Sequence, residues 1–169
     1  MDEIDKYLKE SAEVASNQIN LKPVFLKIAD EVLSRVQKGG TVFFCGNGGS
    51  AADSQHLAAE LIGRFKKNRD PISSIALTTD TSIITSTAND FSYDEIFSRQ
   101  LLGIAKEGDV LIAISTSGES QSVINAVNTA DSLGVLTVGF TGKNNNKLCE
   151  IADYVLQIPS NETGIIQQG

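Results

Sequence analysis

Thr41-Val-Phe-Phe-Cys-Gly-Asn-Gly-Gly-Ser-Ala-Ala-Asp-Ser-Gln-His-Leu-Ala-Ala-Glu60 is the stretch whose reading decides the fold. The apolar run 41–45 reads as a buried strand, Gly46-Asn-Gly-Gly-Ser50 as a tight loop, and the remainder as a helix. His56, the one histidine of the chain, is followed at four-residue steps by Glu60 and Arg64. Side chains four apart share a helix face. The spacing therefore predicts an imidazole, a carboxylate and a guanidinium in one stripe, just beyond a loop suited to binding a ligand. Such an arrangement suits acid/base chemistry beside an anion.

Outward from this stretch, strands and helices alternate. The pattern predicts strands at 41–45, 74–78, 109–115, 135–141 and 154–158. Helices are expected at about 50–66, 82–88, 93–105, 119–133 and 145–151. Short continuous apolar strands joined by helical crossovers imply a parallel sheet covered on both faces. Right-handed crossovers make it a doubly wound α/β sandwich. Two amphipathic helices, 2–19 and 22–38, precede it. Val24, Ile28, Val32 and Val36 form the apolar stripe of the second, and Gly39-Gly40 ends it.

A chain of 169 residues fits one domain with a substantial core. With 41% hydrophobic and 21% charged residues, it has the composition of a globular protein. The net charge is −7, and the basic run 64–69 is too short to hold a nucleic-acid backbone. An acidic protein that binds an anion must do so locally, with backbone N–H groups and a few cations. Cys45 and Cys149 form no C-x-x-C pair, so they read as thiols in a reducing compartment. The charged N-terminus is no signal peptide, and no apolar run has membrane length. We therefore expect a cytoplasmic protein that binds neither membrane nor nucleic acid.

In a doubly wound sheet, ligands bind at the carboxyl ends of the strands. Three polar loops fall there: 46–50, Asn89-Asp90, and Ser115-Thr-Ser-Gly-Glu-Ser120. The last carries four hydroxyls and leads into a helix, whose free N–H groups and partial positive charge suit a phosphate. The competing reading is plain N-capping, for which one hydroxyl is enough. The glycine loop lacks G-x-G-x-x-G spacing, and no G-x-x-x-x-G-K-[ST] occurs, so a nucleotide is not indicated. Its glycines allow close backbone approach to a smaller ligand, and Asn47 is placed to bond a hydroxyl. Alternatively the loop is only a tight turn with Ser50 as cap. On the following helix, Leu57, Leu61 and Phe65 are expected to face the core. The Glu60–Arg64 spacing also fits an ordinary surface ion pair.

Three segments in order, GNGGSAADSQHLAAELIGRF at 46–65, TANDFSYDEIFSRQ at 87–100 and GDVLIAISTSGES at 108–120, closely resemble the sugar isomerase (SIS) domain family. Within it they resemble the phosphoheptose isomerases, and the resemblance extends from the N-terminal helices to residue 169. It implies a three-layer, flavodoxin-like sandwich with a five-stranded parallel sheet, N-terminal helices over 1–38, an α/β core over 39–169, and a homotetramer. It implies a phosphorylated seven-carbon sugar as partner: D-sedoheptulose 7-phosphate converted to D-glycero-D-manno-heptose 7-phosphate, on the way to bacterial lipopolysaccharide core or surface glycans. By motif, Asn47, Gly48 and Gly49 would contact the sugar, with Glu60, Arg64 and Gln167 also at the substrate. Ser115, Thr116, Ser117 and Ser120 would hold the phosphate, and Asn89 and Asp90 would approach the reacting end. Glu60 would be the catalytic acid/base. One zinc ion per subunit, bound by His56, Glu60 and Gln167 with one later histidine, is implied as well; no nucleotide is.

The residues themselves agree with that chemistry, since ketose–aldose isomerisation needs a general base beside C1 and C2 and an acid for the oxygens. Two departures stand out against the family's C-terminal pattern, near E-T-x-R-I-Q-E-x-H. In Glu162-Thr-Gly-Ile-Ile-Gln-Gln-Gly169, Ile165 replaces the arginine and Gln168 replaces the glutamate. Gly169 then stands just where the family's histidine, its second acid/base, would follow, so we expect the family's final helix to be absent from these residues and the natural polypeptide to continue. The rival readings are a non-catalytic SIS protein-binding module, such as the replication-initiator-binding proteins, which lack the helix glutamate, a sugar-phosphate-sensing module, and an isomerase of another phosphosugar.

Overall fold

Phe43 and Cys45 point into one side of the central sheet, and Val42 and Phe44 into the other. That alternation explains why the first strand is apolar at every position: a strand buried on both faces has no solvent side. The computed structural model describes residues 2–169, so only Met1 of the expected N-terminal segment lies outside the described residues. Helices α1 (Glu3–Asn17) and α2 (Lys22–Gln37) are joined by a 3-10 turn at Gln18–Leu21. There follow β1 (Val42–Gly46), α3 (Gly49–Ile62), β2 (Ser74–Ala76) and α4 (Thr81–Asp90). A 3-10 turn at Tyr93–Glu95 leads to α5 (Ser98–Ile104), β3 (Val110–Ile114), α6 (Gln121–Ser132) and β4 (Leu136–Thr141). The chain ends with α7 (Lys147–Ile151), β5 (Tyr154–Gln157) and a short α8 (Thr163–Gln168).

All five strands are parallel, in the order β2-β1-β3-β4-β5. This is the α/β sandwich expected from the alternation of strands and helices. The chain runs outward from β1 to β2, then crosses back to β3 on the other side of β1. The carboxyl ends of β1 and β3 therefore flank the reversal, where a crevice opens.

Local chemistry sets the helix ends. The Asp2 carboxylate accepts from Asp5 N–H at 2.8 Å and starts α1, and Asp80 does the same for Ile83 at α4. Two cores cover the sheet. On one face, α5, α6 and α7 bring Leu101, Val123, Val127 and Leu148 onto Phe43, Leu111 and Ala113. On the other, Ile28 of α2 and Ala58 of α3 pack on Val42, Phe44, Ile112 and Val138, with Val24, Val32 and Val36 completing the predicted stripe. Between α2 and α3 an apolar trough of about 350 Å³ remains, lined by Val32, Leu61, Phe140 and Leu156 among others. Val14 of α1 meets Ile158, Ile165 and Ile166 in a third, smaller cluster, which fastens α8 to the N-terminal helix.

The structure corrects the expected extent of the helix after the glycine loop. α3 ends at Ile62, not near residue 66, because Arg69 folds back and donates to the Glu60 and Leu61 carbonyls at 2.7 Å each. Those carbonyls would otherwise need the next helical turn. Phe65, expected in the core stripe, lies beyond this end and is exposed. The segment 93–105 is likewise not one helix but a 3-10 turn followed by α5.

Candidate functional site

The loop between β1 and α3 is built around a backbone that only glycine adopts easily. Gly48 has φ +58° and ψ −120°, and it stands at the start of α3 without a side-chain cap. Gly49 is needed for a different reason: a Cβ there would overlap the amide of Gln167, which α8 brings against the loop. Ser50, the alternative cap, is a buried residue inside α3.

Asn47 is the hinge of the crevice. Its Nδ2 donates to Ser120 Oγ at 3.1 Å and to Ser122 Oγ at 2.9 Å. Its Oδ1 accepts from the Tyr93 hydroxyl at 2.9 Å. In the loop after β3, Ser115 Oγ accepts from Gly118 N–H at 3.1 Å and Ser117 Oγ from Glu119 N–H at 3.2 Å, with the two oxygens 3.4 Å apart. Ser120 stands at the N-terminus of α6, yet its side chain does not cap the helix. The plain-capping reading of this loop therefore fails. Asn47, Ser115, Thr116, Ser117, Ser120 and Gln167 line one polar cavity of about 280 Å³.

A second cavity, of about 260 Å³, shares Ile114, Thr116 and Gln167 with the first and is lined further along by Asp53 and His56. The two cavities thus adjoin at these three residues, one on the side of the hydroxyl loop and the other on the side of the α3 imidazole. His56 Nε2 is 3.9 Å from Glu60 Oε1, as their four-residue spacing predicts. Glu60 sits one turn past the residues lining the cleft, and its Oε2 is buried without a hydrogen-bond partner. An unpaired buried carboxylate oxygen costs stability and marks a group awaiting a proton, a metal or a ligand. Asp53, one turn before His56, has its carboxyl pushed above the ordinary range by burial, opposed in part by the charge of His56.

Arg64 does not complete the expected stripe. It lies past the end of α3 and bonds the side chain of Asn68, so the guanidinium stands apart from His56 and Glu60. Asn89 and Asp90 close α4 on the surface, where Asn89 Nδ2 donates to Asp90 Oδ1 at 2.8 Å; neither lines the cleft. Of the other expected residues, Asn47, Gly49, His56, Ser115, Thr116, Ser117, Ser120 and Gln167 line the two cavities, while Gly48 lies in the glycine loop beside them and Glu60 one turn beyond His56. Three that sequence reasoning passed over also belong here: Asp53, Tyr93 and Ser122. Tyr93 and Asp53 lie inside the quoted motifs, and no spacing rule singles them out.

The expected zinc ligands fit a metal only in part. His56 and Glu60 are adjacent, and the orphaned Glu60 oxygen is an unpaired acceptor of the kind that ligates a cation. Gln167 borders the same cleft as His56. Among the described residues no group of three His, Cys, Asp or Glu side chains could hold a metal, so the set must draw on the amide of Gln167. Cys45 is no alternative: burial pushes its thiol up to about 12, and it stays protonated.

The chain is similar to known proteins over nearly its whole length. The SIS domain family matches residues 6–142. A probable phosphoheptose isomerase from Thermoplasma acidophilum is 47% identical over 163 residues, covering 96% of this chain and 88% of its own. The phosphoheptose isomerase of Aquifex aeolicus is 45% identical over 169 residues, covering 99% and 88%. Among solved structures, a phosphoheptose isomerase from Francisella tularensis superposes with a TM-score of 0.93 at 31% identity, covering 99% of this chain and 92% of that one. The crevice, the hydroxyl loop and the α3 pair thus sit in a chain that belongs to the phosphoheptose isomerase family of SIS-domain proteins.

Proposed function

We propose that the protein interconverts D-sedoheptulose 7-phosphate and D-glycero-D-manno-heptose 7-phosphate, in bacterial lipopolysaccharide core or surface-glycan synthesis. The observation that carries this reading is a pair of adjoining cavities that share Ile114, Thr116 and Gln167 and present two chemistries. At one end stand hydroxyls and the free N–H groups of α6; at the other, the imidazole of His56 with Glu60 beside it. The relatives named for phosphoheptose isomerisation support the choice of substrate.

The phosphate binds at the hydroxyl loop, where the α6 N-terminus favours an anion in an otherwise acidic protein. Ser115, Thr116, Ser117 and Ser120 donate to its oxygens. Asn47 and the backbone at Gly48 and Gly49 hold the sugar hydroxyls. This leaves the open-chain ketose with its C1–C2 end toward His56. Glu60 removes a proton from C1, the C2 carbonyl oxygen gains one, and an enediol forms. Return of a proton to C2, with loss of the proton on the C1 oxygen, yields the aldose. The atoms balance without an external reductant or oxidant. A zinc ion held by His56, Glu60 and Gln167 would polarise the sugar oxygens.

The working unit is a homotetramer in the cytoplasm. The test is direct: incubate the protein with sedoheptulose 7-phosphate, with and without chelator, and follow aldose formation. Five- and six-carbon ketose phosphates serve as controls. Conversion of the seven-carbon substrate above the others is expected. No conversion of any phosphosugar would overturn the enzyme reading, and preference for a shorter sugar would overturn the substrate.

A further inference from the structure

An amide side chain is nearly symmetric in shape, so its orientation is decided by its hydrogen-bond partners. Asn47 has three. Two are serine hydroxyls, which both donate and accept and so leave the orientation open. The third is Tyr93, whose phenol is a good donor and a poor acceptor.

We infer that Tyr93 is a positioning residue: by donating to Asn47 Oδ1 it holds the amide so that Ser120 presents its proton to the phosphate. In the observed orientation Asn47 Nδ2 donates to Ser120 Oγ. Ser120 then accepts from the protein, and its single proton is free for an anion. Flipping the amide would turn Oδ1 toward Ser120 and Ser122. Their protons would go to Asn47, and the incoming phosphate would meet lone pairs. Ser115 and Ser117 are arranged in the same sense, each accepting from a backbone N–H. Ser115, Ser117 and Ser120 thus each accept one hydrogen bond from the protein. Ser120 is the member whose state depends on a side chain that can turn over.

Tyr93 is held firmly enough to act this way. Its 3-10 turn is pinned from below by Ile96 and Phe97, both almost fully buried. Asn125 of α6 donates to the Asp94 carbonyl at 3.1 Å and ties the turn to the helix that begins at Ser120. Tyr93 as a residue is 54% exposed, so it contributes orientation through its hydroxyl more than packing.

The inference rests on reading this cleft as a phosphate site, and the experiment separates the two. Titrate inorganic phosphate and sedoheptulose 7-phosphate by calorimetry into wild type, Tyr93→Phe, Asn47→Ala and the double variant. Measure kcat and KM where turnover exists. Loss of one hydrogen bond that sets another predicts about tenfold weaker phosphate binding in Tyr93→Phe. KM should rise by the same factor and kcat by contrast change less than about threefold. The melting temperature should stay within about 2 °C. In the Asn47→Ala background, Tyr93→Phe should have no further effect on binding. Unchanged phosphate affinity in Tyr93→Phe, or an equal loss with and without Asn47, would overturn the inference. So would a fall in kcat at constant KM. Failure of wild type to turn over any sugar, with phosphate still bound and Tyr93 still required, would overturn the isomerase reading alone.

Discussion

Glu60 is a carboxylate with one oxygen near an imidazole and the other buried and unpaired. Removing its charge should therefore cost the fold nothing while removing the general base. We expect Glu60→Gln to lower turnover on the order of 10²–10⁴-fold with an unchanged or slightly raised melting temperature; turnover within twofold of wild type would take Glu60 out of the mechanism. Asp53 poses a pH question. Its carboxyl is held above the ordinary value of 3.8 by burial, so the folded state binds that proton more tightly than the unfolded chain. The corresponding stability is present below about pH 3.8 and is lost as pH rises through the folded value. At neutral pH the ionised group is a burden. Asp53→Asn should accordingly melt higher than wild type at neutral pH, and the gap should close on acidification. A gap that widens toward acid pH would reverse the assignment.

The hydroxyl loop and the α6 N-terminus act together as one element. Replacing Ser117 and Ser120 with alanine removes two hydroxyls that donate to a charged ligand, each worth roughly 1.5–3 kcal/mol. Phosphosugar affinity should fall on the order of 10²-fold or more, while chemical denaturation shifts by less than about 1 kcal/mol, since Ser120 does not cap the helix and the Ser117 bond to Glu119 N–H is exposed to water, which can replace it. Unchanged affinity by calorimetry would move the anion elsewhere. Element boundaries were legible to within a few residues where one local device set them, as Asp80 does for α4. They were not legible at α3, which Arg69 terminates from seven residues beyond its end. Periodicity continues through Gly63 to Phe65, and nothing local announces the returning guanidinium.

At the scale of the molecule, the N-terminal helices bury one side and leave another bare. Phe25, Leu26 and Leu33 of α2 are about half exposed, and Ile4 and Leu8 of α1 more so. An apolar surface of this extent is characteristic of an interface. We expect light scattering to give a tetramer at micromolar concentration, or a dimer; a clean monomer would contradict the assembly. Among the described residues no helix is long and apolar enough to cross a membrane.

The parallel sheet, the two helices before it and two of the three expected loops, 46–50 and 115–120, were determined by the sequence alone, whereas Asn89-Asp90 is the last turn of α4 and not a loop of the cleft. Fully apolar strands such as Val42–Gly46 and the four-residue stripe on α2 are local patterns, set by which faces of each element meet solvent. His56 and Glu60 were likewise paired by helix geometry before any packing was known. What only the tertiary structure decided is what depends on chain segments far apart. Arg64 was parted from its stripe by the fold-back of Arg69, and Gln167 was laid against Gly49 by the docking of α8 on α1. Tyr93 and Ser122 were brought onto opposite ends of one asparagine by the reversal of strand order at β1. A hydrogen bond between residues dozens apart has no local signature, because its partners are chosen by where the sheet places its loops.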